Sequence, residues 1–259
     1  MIRLHDLTFR RDDRLILQGV DLDVKPGEHW TLLGRNGCGK STILEIITGY
    51  QFPTSGTVDV LGERYGQVDV REMRKRIGYI SPALIEKMTL RDPVWEIVAS
   101  GAFAFLRFYV EIEADVRERA FAELERVGLG PLAEQPFGTL SQGERKKALL
   151  ARTMMASPEL LILDEPCAGL DLYEREKFLA TLSDLSSIQL SMLYVTHHIE
   201  EIIPLFTHVA LMAEGRILSS GPKKEVLTPD WLKEAYDLPI DIRWKDERPW
   251  IEVGKVTSK

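Results

Sequence analysis

The chain opens with short stretches in which apolar and polar positions alternate. Ile2, Leu4 and residues 7–9 form one stretch, and residues 15–17 with Val20, Leu22 and Val24 form the next. Such alternation predicts half-buried strands, whereas a continuous apolar run predicts a strand covered on both faces. Pro26-Gly27 reads as a turn, and His29-Trp30-Thr31-Leu32-Leu33 as a buried strand running into a glycine-rich loop. Residues 41–48 read as a helix stopped by Gly49. Short strands are predicted at 56–62 and 77–80.

The period changes in the middle of the chain. Residues 92–106 and 114–127 have helical spacing, with Val116, Ala120, Leu124 and Val127 on one stripe before Gly128 and Gly130. A third helix is predicted over 144–157. From Leu160 the strand–helix alternation resumes, with apolar strands at 160–163 and 191–196 around a helix at 173–185. A small hairpin follows, 209–212 and 216–219, turning at Glu214-Gly215. The pattern is therefore an α/β core interrupted by a helical segment. Near the end, residues 240–244 and 249–253 flank the charged turn Lys245-Asp246-Glu247-Arg248, a second hairpin. Three of the five tryptophans, Trp231, Trp244 and Trp250, fall in this region, either as an aromatic-packed cap or as a surface for a partner.

Composition narrows the classes. The 259 residues carry 33 Lys+Arg against 40 Asp+Glu, a net charge of −7, which argues against a general nucleic-acid binder. With 44% hydrophobic and 28% charged residues the chain is ordinary globular material. A chain of this length buries about 70–75% of its unfolded surface, so no disulfide or metal is needed to fold it. The longest uncharged apolar run, 97–106, is half the roughly 20 residues of a membrane-spanning helix. Met1-Ile2-Arg3-Leu4-His5-Asp6 lacks the apolar region of a secretory signal, and Cys38 and Cys167 have no close spacing, so a cytosolic protein is expected.

Two motifs carry chemistry. Gly34-Arg35-Asn36-Gly37-Cys38-Gly39-Lys40-Ser41 fits the phosphate-loop pattern G-x-x-x-x-G-K-[ST], with the strand before it and the helix after it that the pattern requires. Its glycines let successive backbone N–H groups face an anion at a helix N-terminus. Lys40 reaches the β- and γ-phosphates, the Ser41 hydroxyl suits Mg²⁺, and Thr42 offers a further phosphate donor. Cys38 reads as a small filler. The second motif, Leu160-Leu161-Ile162-Leu163-Asp164-Glu165-Pro166, places two carboxylates at the end of a buried strand, the ligand-binding end in α/β sheets. Asp164 suits the metal's surroundings and Glu165 the polarisation of an attacking water.

Three further segments complete a set. Leu140-Ser141-Gln142-Gly143-Glu144 begins 100 residues after Lys40, Ala168-Gly169-Leu170-Asp171 follows Pro166, and Val195-Thr196-His197-His198 ends a later strand. The five motifs, in this order and spacing over residues 1–228, resemble the ABC ATPase family. The resemblance implies a P-loop NTPase (RecA-like) α/β core with an N-terminal antiparallel β subdomain and an α-helical subdomain inserted at about 82–157. Residues 229–259 are then a C-terminal Trp-rich hairpin extension. It also implies a head-to-tail homodimer that sandwiches two ATP molecules. Ser141, Gly143 and Glu144 would contact the γ-phosphate held by the other subunit, His197 would be the switch histidine, and Asp171 would lie at the dimer interface. Independently of the family, Ser141 with Glu144 three positions on is a capping-box pattern for the following helix.

Two departures stand out. The family's Q-loop glutamine, which follows a strand like Ile77-Gly78-Tyr79-Ile80, is replaced here by Ser81-Pro82. Ser81 offers a hydroxyl in its place. The aromatic that stacks on adenine is absent: in Thr8-Phe9-Arg10-Arg11 its place by spacing falls on Arg11 rather than Phe9, and a planar guanidinium also stacks on a π-face. With Gly27-Glu28-His29-Trp30 and Thr-His-His-Ile-Glu-Glu, these departures resemble the molybdate-type branch of the family. The aromatic stretch Phe103, Phe105, Phe108, Tyr109, with Arg107 and Glu111, lies where the family docks its membrane partner, and core packing is its other reading.

The expected function is ATP hydrolysis that powers transport through separate integral membrane permease subunits, at the inner face of the cell membrane and without nucleic acid. The expected cofactors are ATP and Mg²⁺. The rival is a soluble ABC ATPase acting as a switch on a non-membrane partner, such as an iron–sulfur assembly or repair complex, which the missing glutamine favours. The repair type with a long coiled coil is excluded by the short span from Lys40 to Ser141, and the two-domain ribosome-acting type by the single phosphate loop.

Overall fold

The computed structural model describes residues 1–104, 106, 112–185 and 190–254. They form two compact units, Met1–Arg74 with Ser191–Lys259, and Lys75–Leu190. Part of the aromatic stretch that begins at Phe103, namely Phe105, Arg107, Phe108, Tyr109 and Glu111, lies outside the described residues; Phe103 itself is exposed.

The first unit begins with β1 (Ile2–Arg11) and β2 (Arg14–Val24), paired antiparallel. Then come β3 (His29–Gly34), α1 (Lys40–Ile47), β4 (Ser55–Val60), the two-residue β5 (Glu63–Arg64) and α2 (Val70–Lys75). The antiparallel sheet runs β2-β1-β4-β5. Its alternation is the one read from sequence: Ile2, Leu4 and Leu7 are buried and Arg3, His5 and Asp6 exposed. α1 sinks Ile43, Leu44, Ile46 and Ile47 into the core, each contributing about 1.5–3 kcal/mol.

The second unit starts at β6 (Ile77–Ile80) and continues through α3 (Pro82–Glu86), α4 (Val94–Ala99), α5 (Ala114–Arg126), α6 (Gln142–Met154), β7 (Leu160–Asp164) and α7 (Leu172–Asp184). β6 and β7 pair in parallel, Tyr79 opposite Ile162, and α4, α5 and α6 pack on one another. The helix read over 92–106 is shorter than its periodicity suggests. Pro93 caps its start, and a 3₁₀ turn over Ser100–Phe103 ends at Ala104, whose φ of 55° is left-handed and breaks the helical ladder.

The chain returns to the first unit with β8 (Ser191–Thr196), β9 (His208–Ala213) and β10 (Arg216–Pro222), followed by α8 (Lys223–Val226), α9 (Pro229–Tyr236), β11 (Ile240–Lys245) and β12 (Arg248–Val253). β3 lies between β8 and β9, parallel to both, and β10 closes antiparallel on β9. The buried run Thr31-Leu32-Leu33-Gly34 is thus a central strand, which is why it is apolar without alternation. β11 and β12 form the tryptophan hairpin, with Asp246 and Glu247 both at positive φ in its two-residue turn. α9 went unread in the sequence, although Thr228 capping Trp231 and Pro229 in the first turn are its starting signals.

Candidate functional site

In the first unit, β3 delivers the chain into the phosphate loop and α1 leaves it. Gly39 has φ 109°, and a Cβ there would sit 2.8 Å from both Leu17 Cδ2 and Met212 Cε, so only glycine makes this entry to the helix. The loop is braced from the β9–β10 turn, where the Gly215 N–H donates to the Cys38 carbonyl at 3.0 Å. Lys40 is 6% exposed and its Nζ donates to the carbonyls of Gly34 at 2.7 Å and Arg35 at 3.1 Å. Its ammonium is therefore held at the loop's own backbone. Arg35, Asn36, Gly37 and Ser41 are exposed and Thr42 is half-buried, while Cys38 is buried. Burial pushes the Cys38 thiol above its ordinary range, with Lys40 opposing, so it is a packing residue and a poor nucleophile.

At the end of β1, Arg11 reaches Glu45 of α1, Nη2 to Oε2 at 3.5 Å, and its guanidinium carbon lies 5.9 Å from the Phe9 ring centroid. Phe9 is 7% exposed and offers no free face, whereas Arg11 is exposed beside the helix that starts at the phosphate loop. His197 follows β8 and is half-buried, its ring 4.1 Å from that of His198. In the turn that follows the two histidines, the buried Glu201 carboxylate accepts from the Tyr194 and Thr196 hydroxyls at 2.9 and 2.6 Å.

The second unit holds the carboxylates. Asp164 ends β7, and the Tyr79 hydroxyl donates to its Oδ2 at 3.2 Å. Glu165 adopts φ 46°, a left-handed conformation that costs a non-glycine residue of its kind about 1–2 kcal/mol and that structures tolerate mainly at functional positions. Its carbonyl accepts from the Ala168 N–H at 3.0 Å. Ser81, Lys146, Asp164 and Glu165 line one small cavity. Ser81 caps α3 by backbone conformation without a side-chain hydrogen bond of its own to the helix. Tyr79 and Lys146 were not singled out in the sequence; a hydroxyl two residues before the replaced glutamine was the available signal for the first.

The signature segment forms the capping box its spacing predicts. The Ser141 hydroxyl accepts from the Glu144 N–H at 3.2 Å, and the Glu144 carboxylate accepts from the Ser141 N–H at 2.7 Å. Gly143 sits where a Cβ would fall 1.9 Å from Glu174 Oε2. Asp171 caps α7, its Oδ1 accepting from the Glu174 N–H at 2.9 Å, and the next two residues, Leu172 and Tyr173, are 66% and 62% exposed.

With the geometry in place, similarity decides the family. The ABC transporter family model matches residues 17–168. An uncharacterized ABC transporter ATP-binding protein, YlmA of Bacillus subtilis (strain 168), is 41% identical over 254 residues, 97% of this chain and 96% of that protein. The chain belongs to the ABC transporter ATP-binding family. It is thus an ATPase, the ATP-binding subunit of a transporter, and the reading as a switch on a non-membrane partner is not favoured. The energy-coupling factor transporter ATP-binding protein EcfA of Methanosphaera stadtmanae is 32% identical, covering 91% of this chain and 81% of that protein. Among solved structures, cbiO1 from Clostridium perfringens, described as part of the ABC transporter complex cbiONQ, superposes with TM-score 0.79 at 26% identity, covering 91% of this chain and 95% of that one. The α/β cassette fold is accordingly that of the family. Among the described residues no helix is long and apolar enough to cross a membrane.

Proposed function

We propose that two copies of this chain, closing head to tail around ATP, power transport through separate integral membrane permease subunits, with the chain peripheral to the cytoplasmic face of the membrane. One observation carries the reading. Among the described helices, two N-termini are shaped for an anion, α1 with Lys40 as its first residue and α6 with an exposed serine at its cap and no lysine in its first turn. A phosphate loop already satisfies one triphosphate, so Ser141, Gly143 and Glu144 serve the nucleotide of the partner subunit. The exposed Leu172 and Tyr173 beside Asp171 supply apolar surface for the same contact.

Within each copy, Gly34 to Thr42 wrap the phosphates with backbone N–H groups. Lys40 swings from its loop carbonyls to the β- and γ-oxygens, and Arg11 stacks on adenine. Ser41 and Asp164 are the oxygen donors that would hold Mg²⁺, and the ion would supply charge neutralisation to the phosphates. Tyr79 fixes the Asp164 carboxylate. Glu165 accepts a proton from the water that attacks the γ-phosphorus in line, and His197 donates to the γ-phosphate oxygens as charge builds on them. Ser81, beside Asp164 and Glu165, takes the place of the missing glutamine. Residues 1–228 form the ATPase domain in this reading, and 229–259 an extension to it.

The test is the purified Glu165→Gln variant. It is expected to bind ATP, to hydrolyse it at least a hundredfold more slowly, the scale of losing a general base, and to accumulate as an ATP-bound dimer. Wild-type turnover by that variant overturns the assignment of Glu165, and a monomer at saturating ATP overturns the dimer. Recovery of integral membrane proteins with the ATP-bound chain tests the permease partner.

A further inference from the structure

The turn that carries the histidine pair is gripped from two sides, and one grip comes from the C-terminal hairpin. From within, Glu201 is 3% exposed and accepts from the Tyr194 and Thr196 hydroxyls, while the His198 N–H donates to Thr196 Oγ1 at 3.0 Å. From outside, β12 packs on the 3₁₀ turn Ile199–Glu201, and Arg248 Nε donates to the Glu200 carbonyl at 2.6 Å. Glu200 itself reaches back toward the histidines, its Oε1 3.6 Å from His198 Nδ1, and the His198 ring lies 4.1 Å from the His197 ring. The guanidinium also lies over the Trp250 ring, 5.0 Å from its centroid. The hairpin turn is tied down in its turn by Glu247, which accepts from Lys224 at 2.6 Å. Arg248, Glu200, His198 and His197 therefore make one continuous chain of contacts from the extension to the switch histidine.

We infer that Arg248 is a positioning residue for ATP hydrolysis: by holding the Glu200 carbonyl it fixes the turn that aims His197 at the γ-phosphate. A charge-assisted hydrogen bond to a carbonyl is stronger and more directional than a neutral one, which suits a clamp on backbone. Arg248 touches no part of the nucleotide in this account, and the inference rests on the role given to His197 above. It gives the C-terminal hairpin a task in the reaction, so that movement of the extension becomes a means of setting the turnover rate.

The experiment measures steady-state ATPase kinetics of the full-length chain and of Arg248→Ala, Arg248→Lys, His197→Ala and the Arg248→Ala/His197→Ala pair. Arg243→Ala, which removes the exposed pair with Glu252 on the same hairpin, is the control. Arg248→Ala is expected to lower kcat about tenfold with KM for ATP unchanged, since a remote displacement of a reacting group costs rate rather than binding. Arg248→Lys restores most of the rate, and in the His197→Ala background the arginine substitution has no further effect. A wild-type kcat for Arg248→Ala, or the same tenfold loss when His197 is already absent, overturns the inference while leaving the role of His197 standing. Wild-type turnover by His197→Ala alone overturns that role and the inference with it.

Discussion

The phenol of Tyr79 donates a hydrogen bond to Oδ2 of Asp164, joining β6 to β7 at the end of both strands where the carboxylates lie. The bond removes one of the carboxylate's rotational options before any ligand arrives. Tyr79→Phe deletes it without changing the ring. A hydrogen bond to a charged group contributes about 1.5–3 kcal/mol, so ATPase activity is expected to fall by roughly tenfold or more and the metal concentration for half-maximal rate to rise. An unchanged metal dependence in a magnesium titration removes Tyr79 from the site.

Much of this arrangement is legible in the sequence because local rules set it. The phosphate loop needs glycines at fixed offsets, the capping box needs Ser141 and Glu144 three apart, and the buried strands announce themselves as apolar runs ending in Asp164 and Thr196. What escaped is what only tertiary contact creates. Nothing near Tyr79 in sequence points to Asp164, and nothing near Arg248 points to the Glu200 carbonyl 48 residues earlier. The brace from Gly215 to Cys38 is likewise a contact between two turns. α9 was missed for a different reason. Its cap and proline were visible, but eight residues with only Leu232 and Ala235 buried give too short a stripe to outweigh the nearby hairpin pattern.

Gly143 separates function from stability. In Gly143→Ala the new methyl meets the end of the Glu174 side chain, which can swing away, and alanine is the better helix former by about 1 kcal/mol. Folding stability should therefore change little. ATP-dependent dimerisation and turnover should fall, because the displaced Glu174 side chain has to move beside the first turn of α6, where the partner subunit's γ-phosphate is proposed to bind. Size-exclusion chromatography with ATP, beside a melting curve, checks both halves.

The start of β3 predicts a pH dependence. Burial holds the His29 imidazole below its ordinary range, and its Nδ1 has no hydrogen-bond partner among the described residues. The unfolded chain therefore takes up a proton near pH 6.5 that the folded chain resists. The stabilising contribution is fully present above about pH 6.5 and is lost as pH falls through the lower folded value. Urea unfolding at pH 7.5 and pH 5.5 should show a larger loss for the wild type than for His29→Gln. Equal losses remove His29 as the source.

Thr228 tests whether α9 is a firm part of the fold. Its hydroxyl accepts from the Trp231 N–H, and Thr228→Ala should cost about 1 kcal/mol in chemical denaturation, the value of an N-cap. A loss near zero means that α9 is held by packing of Leu232 and Ala235 alone.

Glu165 stores strain where the chemistry is proposed to occur. At φ 46° a glutamate costs about 1–2 kcal/mol that glycine does not, while glycine loses about 0.5–1 kcal/mol through its freer unfolded chain. Glu165→Gly is therefore expected to melt at the same temperature as the wild type or slightly above it, and to lose hydrolysis. Glu165→Gln keeps the strain and should lose hydrolysis alone, so Glu165→Gly melts no lower than Glu165→Gln and the two agree in rate. That pattern identifies a backbone conformation kept for the reaction at a cost to the fold. If Glu165→Gly melts well below Glu165→Gln, the left-handed conformation carries no strain and its side chain has a structural task instead.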